Sequence, residues 1–577
     1  MTEASSIVSE LTDELLRVLV EVDPVNGSLQ GLRERDGDLP DLTAAAQEKQ
    51  ARRLRGLAAA AGAVPREALG PQDRLTCGMV GALATDTADT LAAGRPEWQV
   101  NDKWVAPAAS LLLNLPMCTL PDAVSAAAYL RRLAAVPGYL EAAAERHRAG
   151  VHGGRTPVGR LVRAAVTQID GYLGDAACDP LALPPPDGWG DADGFRRELA
   201  QLLTDVVRPA FRRYRDVLAT EIEPAGRDDE RPGLCWLPGG TDTYRTLVRT
   251  QTTTGRTPDE LHEIGLELVA ALAEEYADLG GRVFGVTDPA EVMRRMREDP
   301  ALRCTSREQI LAEARDAVAR AEAAAPRWFG RLPGQPCVVA PVPVADEDQS
   351  VLAYYVQPAV DGSRPGTYWQ NTRNPTGQHR HVLQFTAYHE GVPGHHLQLA
   401  LAAGRDDLPL LRRVLEIAGY VEGWALYCER LADEMGLYTD DVARLGMLAG
   451  DSLRAARLVV DTGVHAFGWS RAQVVDYLRA NTPLPPADVQ VETDRYIGDP
   501  GQALAYMVGR LEITRLRAAA ERQLGAAFDI RAFHDVVLGT GTVPLATLAE
   551  HVEAWLAGDP AAGHQAAGDP AAGAAVG

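Results

Sequence analysis

Apolar residues recur at helical spacing over nearly the whole chain, and a single short interval breaks that pattern. Segments such as 121–147, 258–283 and 408–435 are rich in Ala, Leu, Glu and Arg, with few β-branched runs. The interval 336–372 instead carries three short β-rich runs, CVVAPVPVA, SVLAYYVQPAV and PGTYWQNT, which Pro, Gly and Asp separate. We therefore predict a mainly α fold with a small β-sheet beside the histidine-rich helix that follows.

The 577 residues are enough to bury a large core without disulfide or metal staples. Loops rich in Pro and Gly at 180–193 and 221–241 divide the chain. They predict an N-terminal helical region, 1–235, and a catalytic region, 236–556, that together form one compact unit. The tail 557–577 repeats GDPAAG, and this low-complexity composition predicts disorder.

Charge and cysteine content exclude several classes of protein. A net charge of -22 opposes binding to nucleic-acid phosphates. Seven scattered cysteines without a CxxC pair are typical of reduced thiols in the cytosol. The start of the sequence lacks the pattern of a signal peptide, and no window approaches the roughly 20 apolar residues that span a bilayer. We expect a cytoplasmic protein with neither a nucleic-acid nor a membrane partner.

The segment Tyr388–Gln398, YHEGVPGHHLQ, carries the strongest chemical signal. In zinc hydrolases of the HExxH type, two histidines one helical turn apart bind one metal ion, and the intervening Glu acts beside it. Here Pro393 stands where the second histidine would be, and His395 and His396 follow His389 by six and seven positions. The segment is therefore a variant of that motif.

A straight helix cannot bring these histidines to one ion. His396 would share a face with His389 but lie about 10 Å further along the axis, and His395 would point nearly the opposite way. Binding of one ion therefore requires a broken helix between Gly391 and Gly394, which the intervening Pro favours. If Gly-Val-Pro-Gly is a two-residue insertion, His395 takes the place of the second ligand; His396 is the alternative.

A third ligand is expected from a later helix. Glu422 begins the apolar segment EGWALYCE and would face the metal. Glu429 lies seven residues further on the same helical face, where it would accept a ring N–H of a ligand histidine. The predicted metal ligands are therefore His389, one histidine of the pair His395 and His396, and Glu422.

Two further segments contribute candidate polar residues. On RLVVDTGVH, Arg457, Asp461 and His465 are four residues apart and share one stripe, so Asp461 would orient His465 as a hydrogen-bond donor. The segment PGQALAYMVGR adds Tyr506 and Arg510. A surface ion-pair ladder and simple core packing of Tyr506 are the alternative interpretations.

Taken in order, these segments resemble a bacterial family catalogued as domain of unknown function 885, which is placed with the gluzincin-type zinc peptidases. The resemblance extends from about residue 30 to about residue 550. It rests on LPDLT, GGTDTYRTLVRTQTTTGRTPDELHEIGL, DGSRPGTYWQNT, YHEGVPGHHLQ, EGWALYCE, DTGVHAFGW and PGQALAYMVGR. It implies a zincin-like helical scaffold similar to thimet oligopeptidase and related carboxypeptidases, with a deep channel beside the sheet.

The same resemblance implies roles for individual residues. His389, His395 and Glu422 would hold Zn2+, and Glu390 would be the general base. Tyr506 and His465 would stabilise the tetrahedral oxyanion. The strand Gly366–Asn371 would be the edge of the sheet that pairs with an extended substrate.

Substrate binding is assigned to Arg457, Arg510 and Tyr368. The expected reaction is hydrolysis of amide bonds in short peptides, because an enclosed channel would exclude folded proteins. Two alternatives stay open. The chain could be a zinc-dependent hydrolase or lyase that acts on a non-peptide amide or another C–N bond in small-molecule metabolism, or a family member without catalytic activity.

Overall fold

A computed structural model of the protein describes residues 2–175, 178–343, 347, 351–360, 362 and 364–558. Within these residues there are 25 α-helices and three short β-strands, which confirms the prediction of a mainly α fold with a small sheet. Of the tail 557–577, for which we predicted disorder, residues 559–577 lie outside the described part of the chain.

The first half of the chain is helical throughout. Its helices are α1 Glu3–Val22, α2 Pro24–Leu29, α3 Ala44–Ala63, α4 Pro71–Ala92, α5 Arg95–Trp98, α6 Pro107–Asn114, α7 Ala123–Ala134, α8 Val136–His152, α9 Gly159–Gly174, α10 Ala192–Leu202, α11 Arg208–Val217, α12 Gly240–Thr252, α13 Pro258–Phe284, α14 Pro289–Glu298 and α15 Arg307–Ala324.

The second half contains the sheet and the remaining helices. The strands are β1 Val338–Pro341, β2 Ala353–Val356 and β3 Thr367–Gln370. The helices are α16 His381–Glu390, α17 His395–Ala403, α18 Leu410–Val414, α19 Ala418–Glu434, α20 Asp441–His465, α21 Arg471–Asn481, α22 Pro486–Gly498, α23 Ala505–Leu524, α24 Ile530–Leu538 and α25 Leu545–Leu556.

Local sequence accounts for where the long helices begin and how closely they pack. Helix α13 opens with a capping box, in which the Thr257 hydroxyl accepts the Glu260 N–H and the Glu260 carboxylate accepts the Thr257 N–H. This helix packs along α20, and a Cβ added at Gly265 would lie 2.7 Å from Val459 Cγ2. Only glycine therefore allows this approach, which holds α20 in place beside the site.

The sheet has the strand order β1-β3-β2, with β1 parallel and β2 antiparallel to β3. The prediction that the strand Gly366–Asn371 is a free edge is wrong, because β3 is the central strand and both its sides are paired. The side chain of Tyr368 on this strand is fully buried, and its hydroxyl donates to Gln370 Oε1 at 2.5 Å.

The two largest hydrophobic cores do not follow the predicted division of the chain at residue 235. One core combines residues from 8–98 with residues from 234–552, and the other is built mainly from 100–222. Helices α1, α3 and α4 therefore share a core with the predicted catalytic region. The division into 1–235 and 236–556 stays a prediction.

Among the described residues, no helix combines the length and the apolar character that crossing a membrane requires.

Candidate metal centre

The helix that carries the histidine motif is broken where the sequence predicts. Helix α16 ends at Glu390 and α17 begins at His395, which confirms the predicted break. A Cβ at Gly394 would lie 2.0 Å from the His389 carbonyl oxygen, so the chain can turn back this sharply only at a glycine. The indole N–H of Trp424 donates to the Pro393 carbonyl at 3.0 Å and so fastens the break to α19.

The break brings two imidazoles and one carboxylate together. Glu422 Oε2 lies 3.4 Å from His389 Nε2 and 3.5 Å from His395 Nε2. One ligand atom from each of the three residues lies within 4.8 Å of the other two. The two rings are nearly perpendicular, with centroids 4.8 Å apart. The three predicted metal ligands therefore converge on one point from α16, α17 and α19.

These distances fit a zinc ion. Ligand atoms about 2.0–2.1 Å from a tetrahedral zinc are about 3.3–3.4 Å from one another, whereas charge-assisted N–H···O bonds are about 2.7–2.9 Å long. Glu422 Oε2 is buried and accepts no hydrogen bond from any described residue. A buried carboxylate oxygen without a partner is costly, and a cation shared with both Nε2 atoms would satisfy it.

The electrostatics of the metal-free site point the same way. Burial would lower the pKa of His389, but the carboxylates of Glu422 and Glu429 raise it to about 9. Burial would raise the pKa of Glu422, but His389 and His395 hold it well below its ordinary value. Two carboxylates thus draw positive charge to this point, where a proton and a divalent cation would compete.

The outer partner of His389 is the one that the sequence predicts. Its Nδ1 lies 2.8 Å from Oε1 of the fully buried Glu429, which confirms that prediction. This hydrogen bond leaves Nε2 as the atom that faces the ligand position. Arg454 was not predicted; its Nη2 lies 3.5 Å from the same Glu429 oxygen, and its guanidinium approaches the rings of Phe385 and Tyr506. The sequence could have indicated Arg454, because it lies one helical turn before Arg457 on the same helix.

The geometry also decides between the two adjacent histidines. His396 Nδ1 lies 3.1 Å from the Tyr355 hydroxyl, and its Nε2 lies 3.1 Å from the Gln335 carbonyl oxygen. Both ring nitrogens are therefore engaged by the protein. His395 directs Nε2 to the ligand position, and its buried Nδ1 has no partner within the described part of the chain.

Glu390, the predicted general base, directly follows the ligand His389 at the end of α16. Its carboxylate is partly buried and accepts no hydrogen bond from the residues that the structure describes. Burial raises the pKa of Glu390, against the opposing effect of His389 and His395. A carboxylate with these properties is suited to exchange a proton with a water molecule at the ligand position.

Tyr506 lies beside the ligand His389, with ring centroids 6.4 Å apart and nearly parallel planes. Helices α19 and α23 bring it there by touching at two glycines, because a Cβ on Gly423 would lie 2.4 Å from Gly509 Cα. The guanidinium carbon of Arg457 lies 4.7 Å from the centroid of the Tyr506 ring. Arg495, which no sequence pattern indicated, donates to the Tyr506 hydroxyl at 3.4 Å.

His465 does not belong to this arrangement, and its predicted role needs correction. Its Nδ1 accepts the Leu234 N–H at 3.2 Å, and its Nε2 lies 2.9 Å from the Tyr496 carbonyl oxygen. The carboxylate of Asp461, the predicted partner, instead accepts from the Tyr244 hydroxyl and the Gly501 N–H. The ring is fully buried and has no N–H left for an oxyanion.

Two predicted substrate-binding residues are also engaged elsewhere. The guanidinium of Arg510 pairs with the fully buried Asp451, which also binds Arg430. The side chain of Tyr368 points into the core, as described above. Neither residue presents a free polar group to the metal centre, so these two assignments are corrected.

A family model described as "Bacterial protein of unknown function (DUF885)" matches residues 24–552. The chain belongs to this family. The match confirms the family resemblance that the sequence blocks indicate, and it leaves the activity open, as the description itself says.

Two solved structures are similar over nearly the whole chain. One is named "the putative lipoprotein from Colwellia psychrerythraea"; it shares 25% identity with a TM-score of 0.89, over 97% of this chain and 100% of that one. The other, "a putative lipoprotein of unknown function from Shewanella oneidensis", shares 18% identity with a TM-score of 0.73, over 94% and 99%. The second likeness concerns the fold alone. No curated protein matches the chain. The cytoplasmic location and the partners stay predictions.

Proposed function

We propose that this family member is a zinc-dependent hydrolase of the gluzincin type that cleaves amide bonds in short peptides. The observation that carries the proposal is the convergence of His389, His395 and Glu422: the carboxylate oxygen of Glu422 lies 3.4 Å and 3.5 Å from the two Nε2 atoms, close to the separations in a tetrahedral zinc site. Glu390 directly follows His389 in the sequence, and its carboxylate interacts electrostatically with His389, His395 and Glu422. Three protein ligands leave a fourth position open, which is the arrangement of catalytic zinc sites.

A zinc ion held here would supply a Lewis acid that polarises a carbonyl group and lowers the pKa of water. The residues of the chain would supply the rest. Glu390 would accept a proton from the attacking water and deliver it to the leaving nitrogen, which its raised pKa favours. Glu429 would keep the His389 ring in its orientation throughout.

Tyr506 is the remaining candidate for stabilising the oxyanion. Its ring lies against the ligand His389, and its hydroxyl is close to the Arg495 guanidinium, which would favour donation by the hydroxyl to a developing negative charge. With His465 reassigned, we propose Tyr506 alone for this role among the predicted donors.

For an extended substrate we propose the outer edge of β2 in place of β3. The Asn371 N–H donates to the Leu352 carbonyl, and this fixes the alternation of the antiparallel pair. The backbone groups of Ala353 and Tyr355 therefore point away from β3. Tyr355 also faces the metal centre, since its ring centroid lies 6.4 Å from that of His395. A peptide paired with this edge would pass along the site.

The test has two parts. Metal content is measured on protein purified without added metal, and cleavage of a short-peptide panel is compared with cleavage of N-acylated amino acids by mass spectrometry. We expect one zinc per chain and release of peptide fragments. The variant Glu390→Gln should retain zinc and lose activity by on the order of 1000-fold or more. Glu416→Gln, at an exposed carboxylate that also interacts electrostatically with His395 and Glu422, is the control and should keep both zinc and activity.

Two outcomes would contradict the proposal. If the purified protein contains no zinc and also fails to bind added zinc, the proposed metal centre is wrong. If Glu390→Gln cleaves peptides at the full rate, the assignment of Glu390 as the general base is wrong. Cleavage of the acylated amino acids alone would keep the zinc hydrolase and change its substrate to a non-peptide amide.

A further inference from the structure

Two guanidinium groups share one carboxylate in a small group of buried and half-buried side chains next to Tyr506. Glu492 on α22 lies 3.0 Å from Arg457 Nη2 and 3.4 Å from Arg495 Nη1. One carboxylate thus faces two guanidinium groups. Asp488, one turn earlier on α22, lies beside Glu492, whose charge contributes to the raised pKa of Asp488. The nearest further cation, Arg454, is matched by Glu429.

All three groups in this cluster are charged. Burial would raise the pKa of Glu492, but Arg457 and Arg495 lower it to about 2. The pKa values of both guanidinium groups lie above their ordinary value despite burial. A net positive charge held inside a protein is costly unless an anion balances it.

One donor in the cluster has no acceptor. Arg457 is 4% exposed; its Nε donates to the Tyr496 hydroxyl at 2.9 Å and its Nη2 binds Glu492. Its Nη1 is buried and has no hydrogen-bond partner in the described part of the chain. This donor is therefore available to an acceptor that is not part of the described chain.

Arg495 gives the cluster access to solvent. Its side chain is 30% exposed, whereas that of Arg457 is 5% exposed. Arg495 Nη2 donates to Gln502 Oε1 at 3.0 Å and to the Tyr506 hydroxyl at 3.4 Å. A ligand that enters from the metal side would therefore meet Arg495 and Tyr506, with the charge of Arg457 behind them.

The distance to the metal centre suits a substrate group. The Tyr506 ring contacts both sites: its centroid lies 6.4 Å from that of His389 and 4.7 Å from the guanidinium carbon of Arg457, so the His389 ring and this carbon are at most about 11 Å apart. An extended peptide advances about 3.3–3.6 Å per residue. A group two to three residues beyond a carbonyl at the metal would thus reach the guanidinium pair.

We propose that Arg495, backed by Arg457, binds a free carboxylate of the substrate, so that the enzyme acts on peptides or acyl-amino acids near their carboxyl terminus. Guanidinium and carboxylate match in charge, and a bound carboxylate would supply a second negative charge to the two guanidinium groups that share Glu492. This inference rests on the proposed function for the reaction. The binding itself can be measured without any reaction.

The first experiment compares the same short peptides as free acids and as carboxyl-terminal amides, using the full-length zinc-loaded protein. We expect kcat/KM to be about 10- to 100-fold higher for the acids, the range for a charge pair that is partly exposed. Arg495→Gln should bring this ratio close to one, and Arg495→Lys should restore part of it. Arg245→Gln, an exposed arginine paired with Asp242 on α12, is the control and should keep the full ratio.

The second experiment separates this inference from the proposed function. Zinc-loaded Glu390→Gln protein is mixed with tripeptide libraries, as acids and as amides, and retained peptides are identified by mass spectrometry after ultrafiltration. Retention of acids over amides, abolished by adding Arg495→Gln, supports the carboxylate site even if no peptide is cleaved. Equal retention of acids and amides, or retention of neither, would overturn it.

Discussion

Two histidine regions of this protein look alike in sequence and differ in their chemistry. In one region Asp461 lies one helical turn before His465, and in the other Glu422 lies on a helix that follows His389 and His395. All three histidines are buried. Around His389 and His395 the Nε2 atoms face a shared carboxylate oxygen at 3.4 Å and 3.5 Å, longer than a charge-assisted hydrogen bond of about 2.7–2.9 Å. Around His465 both ring nitrogens are bonded to backbone groups from other parts of the chain.

The difference teaches what identifies a metal-binding histidine. Spacing along a helix places a histidine near a carboxylate, but only tertiary structure decides whether backbone groups already occupy its ring nitrogens. At His465 the Leu234 N–H and the Tyr496 carbonyl do so, and burial lowers the pKa of His465 to about 3. At His395 no described residue does so on either nitrogen, apart from the shared Glu422.

The largest expected effect separates two adjacent residues. His395→Ala should lose stoichiometric zinc, with a fall in metal affinity greater than the 10- to 100-fold typical of an outer partner. His396→Ala should keep zinc, because its ring nitrogens bond only to Tyr355 and Gln335. Metal content after gel filtration and far-ultraviolet circular dichroism measure binding and folding. Zinc lost by His396→Ala and kept by His395→Ala would reverse the assignment.

A second prediction concerns pH. The pKa of His389 in the metal-free protein is raised to about 9, so below that pH a zinc ion must displace a proton. Apparent zinc affinity should therefore rise by up to about tenfold per pH unit from pH 6 to 9 and level off above it. The sign is opposite for the metal-free fold, which His389 stabilises below pH 6.5 and ceases to stabilise as pH approaches 9.

Competition with a chelator of known pH dependence measures this slope. The His465 region provides the contrast, because a histidine whose pKa is lowered to about 3 releases no proton in this range. An affinity that is flat between pH 6 and 9 would contradict the ligand role of His389.

A third prediction compares Glu429 and Asp461, two buried carboxylates, by replacing each with its amide. Glu429→Gln removes the charge beside His389 Nδ1 and should weaken zinc binding by about 10- to 100-fold. Asp461→Asn alters the carboxylate that binds Tyr244 and Gly501, and it should leave zinc affinity unchanged. Isothermal titration with zinc measures both. Equal losses in the two variants would mean that the carboxylates act through stability alone.

Several features were accessible from the sequence because local chemistry determines them. Helical periodicity and the β-rich interval predicted the fold class, and Gly-Val-Pro-Gly predicted the helix break. The spacing of Glu422 and Glu429 predicted one ligand and one outer partner on the same helical face. Each of these depends on residues within a few turns of one another.

The remaining features depend on contacts between distant segments. That β3 is the central strand follows from its pairing with two other strands, which its own residues do not encode. Arg495 reaches Tyr506 from α22, and Arg510 finds Asp451 on α20, although no periodic pattern links these helices. The same holds for Leu234, which lies 231 positions from its partner His465.

The last prediction concerns the His465 region, where we expect a substitution to leave zinc binding unchanged. His465→Phe leaves the Leu234 N–H and the Tyr496 carbonyl unpaired in a fully buried position, so it should lower the free energy of unfolding by about 1–3 kcal/mol for each group. His465→Gln, which keeps a donor and an acceptor, should lose less free energy of unfolding.

Zinc content and kcat should stay close to those of the unmodified protein, whereas loss of an oxyanion donor would lower kcat by about 100- to 1000-fold. Urea denaturation, metal analysis and kcat on one set of samples distinguish these results. A large fall in kcat at unchanged stability and zinc content would show that His465 takes part in the reaction. The hydrogen bonds of the ring nitrogens would then not distinguish a functional from a structural histidine in this protein.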